Sequence, residues 1–293
     1  MASCAGLPLV EGRKDPGKTT TFGVGQMIRH AAEHGCRKII VGVGGSCTND
    51  AGAGAAAAAG VRFLDRAGRE FVPTGETLSQ VERIDTSGLC REIRGSEIVT
   101  ICDIDNPFFG PAGAAYVFGR QKGASEQTIP LLDAGLRRLA AVISADLGVD
   151  VSAIPGSGAG GAMGGGMAAF FGSKLQSGIE TILNVVRFDE VAGNYDLIVS
   201  GEGKIDSQSL RGKVVVGVAR HAKKLGVPLI AVVGDIEDPM DRIYDSGVSA
   251  VFSINRVAVD FEQASLRSKA DLGRTMDNLC RFIRVMEAMR GKR

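Results

Sequence analysis

The stretch Lys38–Val61, KIIVGVGGSCTNDAGAGAAAAAGV, decides how the first half of the chain is expected to fold. Its opening run, Lys38–Val43, is apolar and β-branched, which favours a buried parallel strand. The run ends at Gly44 and Gly45, where the backbone can turn tightly and approach a ligand. Small residues then fill Ala51–Ala59 and predict a helix. Strand, glycine turn and helix N-terminus together suit an anion site, and a tight turn without a ligand is the equal alternative.

Polar side chains crowd the turn after this strand. Ser46, Asn49 and Asp50 carry groups that cap helices or bind polar ligands. We therefore expect these three side chains, together with the backbone of Gly44 and Gly45, to contact substrate or phosphate.

Composition narrows the class of protein. The chain of 293 residues is 44% hydrophobic and 23% charged, which indicates a globular protein with one large or two ordinary domains. A net charge of +1 without a basic stretch makes nucleic acid an unexpected partner. The six cysteines form no C-x-x-C pair, so reduced thiols and a cytoplasmic location are expected. No apolar run suits a membrane span, and the first residues do not resemble a signal peptide.

A second glycine motif offers an alternative function. Gly12–Thr19 matches the G-x-x-x-x-G-K-[ST] pattern of a phosphate-binding P-loop. Such a loop needs a buried strand before it and a helix directly after it. The preceding run, Leu7–Val10, contains Pro8, which suits a central strand poorly. A P-loop NTPase that uses Lys18 and Thr19 is therefore an alternative to be tested.

Two carboxylates end the next apolar run, Glu97–Ile104. Asp103 and Asp105 alternate with Ile104, so both side chains are expected on one face of the strand. Paired carboxylates at a strand end can hold Mg²⁺ or a substrate hydroxyl. A solvated turn before Pro107 is the alternative.

Two cations follow in Gly110–Ala124, which is polar, rich in glycine and predicted to be a loop. Arg120 and Lys122 suit phosphate binding, and exposed surface charge is the alternative. A denser glycine run, Pro155–Met167, is expected to form a loop close to a ligand, with a linker between domains as the alternative.

Helical spacing between the two glycine-rich segments predicts a helix that faces the core. Its apolar positions are Ile129, Leu132, Leu136, Leu139 and Ile143. Thr128 is the expected N-cap of this helix.

The last third of the chain alternates strands and helices and closes with a long helix. This alternation predicts a parallel sheet covered by helices on both faces. Ligands of such sheets bind beyond the carboxyl ends of the strands. One end, Ser200–Asp206, presents Gly201, Glu202 and Asp206, and Lys213 stands near the following helix.

Several blocks together resemble the bacterial-type glycerate kinases. They are GKTTTFGVGQMI at 17–28, VGVGGSCTNDAGAG at 41–54, CDIDNPFFGPAGAAYVFGRQKGA at 102–124, PGSGAGGAMGGGM at 155–167 and SGEGKIDSQSLRGKVVVGVA at 200–219. They follow the order found in that family and span almost the whole chain. The resemblance weakens the P-loop interpretation, since this family is unrelated to P-loop enzymes in fold.

The resemblance implies ATP-dependent phosphorylation of D-glycerate, to 2-phosphoglycerate, with Mg²⁺. It also implies two α/β domains. Residues 1–191 would form a glycine-rich inserted domain, and residues 192–293 the later half of a Rossmann-like domain with a parallel sheet. Glycerate and ATP are then the expected small-molecule partners, and the oligomeric state, including a homo-oligomer, is left open.

Our assignment of roles rests on residue chemistry, because the resemblance does not fix which residue does what. Asp206, Glu202 and Lys122 are the candidate catalytic residues, and Asp103 and Asp105 the candidate metal ligands. The candidate residues for binding substrate or phosphate are Gly44, Gly45, Ser46, Asn49, Asp50, Arg120, Gly201 and Lys213.

One departure from the family pattern sets a further alternative. Chains of that family open with a strand, an Asp-Ser-Phe-Lys-Gly-Ser motif and a glycine- and acid-rich segment, and the present sequence contains neither. If that segment is absent, we expect the sheet to lack its first strands and the site to lack a lysine. A non-catalytic remnant that binds glycerate or nucleotide is then the alternative to an active kinase.

Overall fold

The computed structural model describes residues 1–206, 214–237 and 241–290. The chain divides into two compact units, which are the N-terminal unit Met1–Gly178 and the C-terminal unit Ile179–Arg293. Both are mixed α/β, in agreement with the predicted fold class. The predicted division into residues 1–191 and 192–293 stays a prediction.

The N-terminal unit contains seven helices and six strands. The helices are α1 (Ala2–Ala5), α2 (Phe22–Glu33), α3 (Ala53–Ala58), α4 (Arg91–Arg94), α5 (Ala114–Phe118), α6 (Thr128–Leu147) and α7 (Ala159–Phe171). The strands are β1 (Lys38–Gly42), β2 (Arg62–Leu64), β3 (Glu70–Phe71), β4 (Arg83–Asp85), β5 (Glu97–Ile101) and β6 (Lys174–Gln176).

A parallel sheet in the order β1-β5-β6 positions the polar turn of this unit. Lys38 pairs with Glu97 and Gly42 with Ile101, so both predicted apolar runs are confirmed as strands. The burial of β1 alternates, because it lies at the edge of this sheet and buries one face only. A small antiparallel sheet in the order β3-β2-β4 was not predicted from the sequence.

Helix α6 forms much of the core of this unit. The apolar stripe predicted for it is buried throughout, and Leu132, Leu136 and Leu139 have no exposed surface. The predicted cap is wrong, because Thr128 is the first helical residue and its backbone N–H donates to Ser125 Oγ at 3.1 Å. Ser125 begins this turn, and the threonine hydroxyl bonds Ser125 instead of capping the helix.

The glycine run at 155–167 is a turn up to Gly158 and belongs to α7 from Ala159, so the predicted loop covers only its first residues, and its closeness to a ligand stays a prediction. Gly160, Gly161 and Ala162 adopt left-handed backbone angles inside α7. A Cβ on Gly161 would lie 1.9 Å from the Thr48 carbonyl oxygen, and one on Gly166 would lie 1.8 Å from the Ala51 carbonyl oxygen. Glycine is required because the helix start presses directly on the turn after β1.

The segment Gly12–Thr19 lacks the surroundings of a P-loop. Leu7–Val10 is a 3₁₀ helix where a strand is needed, and no helix follows until Phe22. Lys18 is exposed and pairs with Asp15 at 3.4 Å. The P-loop alternative is therefore wrong.

The predicted loop Gly110–Ala124 also contains a helix. Helix α5 begins directly after Gly113, and its Ala114 and Ala115 are fully buried in the core. Small apolar side chains explain this burial, since they pack closely where larger ones would not fit.

The C-terminal unit contains five helices and three strands within the described residues. They are α8 (Gly178–Val185), which begins at the boundary, α9 (Phe188–Ala192), β7 (Ile198–Ile205), α10 (Val214–Leu225), β8 (Leu229–Ile236), α11 (Asp241–Asp245), β9 (Val248–Ser253) and α12 (Phe261–Arg290). The strands form a parallel sheet in the order β7-β8-β9, as predicted.

Strand β7 is longer than its pattern indicates. Pairs such as Glu202 with Val233 and Ile205 with Ile236 continue the ladder through Ile205. The predicted loop Ser200–Asp206 is therefore strand up to its last residue, because β8 offers partners along its whole length. Asp206 follows the strand directly.

Helix α12 is confirmed as the long C-terminal helix, but little of its predicted apolar stripe is buried. Leu279 is buried, whereas Leu272 and Met286 are exposed. All six cysteines are unpaired, as expected from their spacing.

Candidate functional site

A buried lysine anchors the polar turn after β1. Lys122 lies in a short 3₁₀ helix after α5, and only 2% of it is exposed. Its Nζ donates to Ser46 Oγ and to the Thr48 carbonyl oxygen, both at 2.7 Å. We call Ser46, Thr48, Asn49, Asp50 and Lys122 the buried polar cluster. An ammonium has three N–H donors, so one donor of Lys122 is left for a further acceptor.

Arg120 lies two positions before Lys122 and behaves differently. Its guanidinium is exposed and donates from Nε to Glu126 Oε1 at 2.6 Å. The structure therefore separates the two cations that the sequence presents together, and only Lys122 joins the cluster.

Asp50 holds two helix starts in place. Its Oδ2 accepts from the backbone N–H of Thr21 at 2.7 Å and from Thr21 Oγ1 at 2.8 Å. Its carboxylate also accepts from the N–H groups of Gly52 and Gly54, before and within α3. These contacts make Asp50 a capping residue that positions the turn, and its predicted contact with substrate stays a prediction.

Burial sets the titration of this cluster. Desolvation lowers the pKa of the Lys122 ammonium to about 8, and the charge of Asp50 opposes that shift. Desolvation also raises the pKa of the Asp50 carboxyl, against the hydrogen bonds from Thr21 and the two glycines. The groups that contact Asp50 donate hydrogen bonds to its carboxylate, which favours the ionised form and opposes the effect of burial.

Several buried polar atoms at this turn lack a hydrogen-bond partner. They are Thr48 Oγ1, both side-chain amide atoms of Asn49, and Ser157 Oγ in the turn before α7. An unsatisfied buried polar group costs about 1–3 kcal/mol, so the arrangement favours a bound polar molecule that supplies partners. Sequence reasoning placed Asn49 in the site, recognised Thr48 only as a polar residue of this turn, and missed Ser157. The available signal for Ser157 was its place as the one hydroxyl inside the glycine run.

The predicted metal ligands lie at the same edge of the sheet as Gly44 and Gly45, because β1 and β5 run parallel. Asp103 and Asp105 are both exposed. Asp103 Oδ1 accepts from the backbone N–H of Gly178 at 2.7 Å, which leaves Oδ2 for another ligand. Within the described residues, no three His, Cys, Asp or Glu side chains group as a metal site. The two aspartates stay a predicted metal pair.

A large cavity opens on the sheet of the C-terminal unit. This sheet cavity has a volume of about 1140 Å³ and lies against β7, β8 and α12. Its polar lining includes Glu202, Lys204, Asp235 and Asn255, and its apolar lining includes Val199, Val232, Phe261, Leu272 and Met276. Two residues predicted from the sequence, Gly201 and Glu202, thus line a real cavity.

Two further residues were predicted for the site in this unit, Asp206 and Lys213. Asp206 is half-buried directly after β7. Lys213 lies outside the described residues. Lys204, which the sequence analysis did not select, forms ion pairs with Asp235 and Glu237 across the strand ends.

Two α/β units, each with polar side chains gathered near the ends of parallel strands, define an enzyme class that acts on small polar molecules. The sequence model of the Glycerate kinase family matches residues 1–284. The chain belongs to the glycerate kinase family.

Individual relatives agree with this assignment. The chain is 41% identical to the glycerate 2-kinase of Escherichia coli K12, over 98% of this chain and 74% of the relative. It is 41% identical to a glycerate kinase of Bacillus cereus, over 95% of this chain and 74% of the relative. A crystal structure assigned to a glycerate kinase 2 from Salmonella typhimurium LT2 superposes with a TM-score of 0.84 at 38% identity, covering 98% of this chain and 75% of that chain.

Among the described residues, no helix is both long enough and apolar enough to cross a membrane.

Proposed function

We propose that this protein transfers the terminal phosphoryl group of ATP to D-glycerate. The observation that carries the proposal is the buried Lys122 ammonium beside the unpartnered amide of Asn49, in a chain of the glycerate kinase family. Phosphoryl transfer depends on positioned charges more than on covalent chemistry, and this turn offers such charges.

Glycerate carries one carboxylate and two hydroxyls, which match the groups left without partners. The third N–H of Lys122 and the Asn49 amide N–H donate to the carboxylate. Asn49 Oδ1 and the hydroxyl of Ser157 bind the substrate hydroxyls. Because these groups are buried, their interactions with a charged substrate are stronger than they would be in water.

The sheet cavity suits the adenosine part of ATP. Its volume of about 1140 Å³ and mainly apolar lining are typical of a site for a small ligand with a flat ring. Lys204 stands at the ends of the strands, where it offsets phosphate charge. Asp206, the residue after β7, accepts the proton of the attacking hydroxyl, and Glu202 in the cavity wall assists.

Magnesium fits the carboxylates at the end of β5. Mg²⁺ is commonly held by one or two carboxylates together with substrate phosphates, so a group of three protein ligands is not required. Asp105 and the free Oδ2 of Asp103 would hold the ion. When bound, it neutralises charge on the transferred phosphate.

The product identifies both the reaction and its position. Purified protein is incubated with ATP, Mg²⁺ and D-glycerate, and the product is followed by phosphorus NMR. We expect ADP and phosphoglycerate to form together, with the phosphorus coupled to the single proton of carbon 2. Coupling to two protons would assign the 3-phosphate. ADP formation that does not depend on glycerate would refute the proposal.

A further inference from the structure

We propose that the C-terminal unit carries a second anion site, which binds a small molecule bearing several phosphates. The site is an exposed cavity of about 720 Å³ between α8, α10 and α11, called the basic cavity below. It is lined by Glu180, Arg220, Lys223, Lys224, Arg242, Asp245 and Ser246, none of which lines the sheet cavity. The proposal does not depend on the proposed kinase reaction.

The lining has an excess of positive charge. Arg220, Lys223, Lys224 and Arg242 face two carboxylates, Glu180 and Asp245. Other cations of this chain do pair with a nearby carboxylate, as Arg120 does with Glu126. Within the described residues, Lys224 and Arg242 have no ion-pair partner. Four cations around one concavity repel each other, and a multivalent anion removes that repulsion.

One of the two carboxylates is already engaged. Glu180 Oε2 lies 3.0 Å from His221 Nε2, and His221 Nδ1 lies 2.5 Å from Asp189 Oδ1. These two carboxylates raise the pKa of the buried imidazole, which favours its charged form. The Glu180 carboxylate is thus held by the His221 imidazole on one side of the cavity.

The cavity wall is held in a fixed shape. Lys223 Nζ donates to the Asp245 carbonyl oxygen at 2.9 Å, which ties α10 to the end of α11. Ser246 Oγ donates to the Arg242 carbonyl oxygen at 3.1 Å. Lys224 and Arg242 are thus presented from two helices whose relative position is set by other contacts, which suits recognition of a compact anion.

The size and shape select the class of ligand. A concave site of this volume accommodates a triphosphate group or a small phosphorylated acid, whereas an extended polyanion such as duplex DNA needs a longer basic surface. Phosphate groups are the expected feature because basic side chains bind them through charge-assisted hydrogen bonds.

The test is a calorimetric titration of the full chain with inorganic tripolyphosphate, in parallel with ATP and inorganic phosphate. The variant is Lys224→Glu/Arg242→Glu. Its matched control is Arg66→Glu/Arg83→Glu, which makes the same charge change at exposed positions of the N-terminal unit. We expect the cavity variant to weaken tripolyphosphate binding at least about tenfold and the control to stay within about twofold, because the control positions do not line the cavity.

Three further arms keep the result unambiguous. Lys204→Gln removes the cation that is proposed to offset the charge of the ATP phosphates, and tripolyphosphate binding to the basic cavity should persist in this variant. Lys224→Gln/Arg242→Gln replaces the first variant if circular dichroism shows that the first is unfolded. Binding of tripolyphosphate and ATP with similar affinity, and of inorganic phosphate more weakly, supports a site that reads several phosphates.

Two results would overturn the proposal. They are equal binding to the cavity variant and the control, and loss of all tripolyphosphate binding in Lys204→Gln. Either result would move the anion to another site.

Discussion

The two parallel sheets of this protein end in different chemical environments. The turn after β1 is closed, with Lys122, Asn49 and Asp50 buried and Asp50 and Lys122 tightly hydrogen-bonded. The face of β7 and β8 is open and borders a cavity of about 1140 Å³. The same strand direction therefore leads to a buried, hydrogen-bonded polar cluster in one unit and to an open cavity in the other, so topology alone does not determine the chemistry.

Glycine explains both outcomes. In the N-terminal unit, Gly161 and Gly166 let α7 pack directly against the backbone at Thr48 and Ala51. In the C-terminal unit, a Cβ on Gly203 would meet nothing within 4 Å. One set of glycines allows close packing, whereas the other leaves space for a ligand.

The largest effect is expected at Lys122. Lys122→Met keeps the length of the side chain but removes the ammonium, so we expect kcat/KM for glycerate to fall about 10²–10³-fold, as when a positioned donor is lost. Arg120→Met, two positions away, removes an exposed cation and should change kcat/KM less than about twofold. Steady-state kinetics of both variants measures the difference.

The free energy of unfolding of Lys122→Met shows whether a loss of activity comes from a loss of the fold. Burying an ammonium is costly, and its hydrogen bonds offset that cost, so Lys122→Met should unfold within about 2 kcal/mol of the wild type. Similar kinetic losses in both variants would show that the buried position of Lys122 has no special role.

Replacing Asn49 is expected to improve stability and to impair function. Asn49→Leu replaces an unpartnered buried amide with an apolar group of similar size, so we expect the free energy of unfolding to rise by about 1 kcal/mol. We also expect KM for glycerate to rise at least about tenfold, because the hydrogen bonds of the Asn49 amide to the carboxylate and to a substrate hydroxyl are both lost. Urea denaturation and kinetics test the two halves independently. A destabilised variant with normal KM would make Asn49 a structural residue.

The role of the sheet cavity is tested by filling it with a larger side chain. Gly203→Val places a side chain where a Cβ meets nothing within 4 Å, so the fold should accept it while the cavity shrinks. We expect KM for ATP to rise about fivefold, since apolar contact area with the ring is lost. Gly42→Val in β1 is the matched control, because a Cβ there also meets nothing within 4 Å. Equal KM values for ATP in the two variants would remove adenosine from the sheet cavity.

The smallest effect concerns His221 and the pH dependence of stability. Its folded pKa is raised by Glu180 and Asp189, so its stabilising contribution is complete below the unfolded value of about 6.5 and is lost as pH rises through the folded pKa. We expect the difference in unfolding free energy between wild type and His221→Gln to shrink by at most about 1 kcal/mol as pH rises above neutrality. Denaturant titrations across this range measure it, and a constant difference would contradict the assigned direction of the shift.

The elements that could be predicted from the sequence are those whose own residue pattern indicates secondary structure and burial. Strand β1 and helix α6 are examples, because β-branched runs and a 3.6-residue period report burial directly. The burial of Lys122 was not predictable in this way, since it depends on Ser46, 76 positions away along the chain. For the same reason the sequence alone could not separate Lys122 from Arg120.

Glycine patterns were the least informative signal in this chain. Gly12–Thr19 satisfies the P-loop pattern, but a 3₁₀ helix precedes it where a strand is needed. No helix follows it directly. The run at 155–167 is helical from Ala159, because its glycines accommodate a neighbouring backbone, which a sequence pattern cannot distinguish from a ligand. One residue of the proposed site, Ser157, was found only through its unpartnered hydroxyl.

The central claim is that the Lys122 ammonium acts on the substrate, and the pH dependence of kcat/KM tests it most directly. Burial lowers the pKa of Lys122 to about 8, so the active, charged form is lost as pH rises through that value. We predict that wild-type kcat/KM for glycerate falls above about pH 8, and that Lys122→Arg, which stays charged, moves this alkaline limb upward even if its rate is lower. An identical alkaline limb in the wild type and Lys122→Arg would contradict the account.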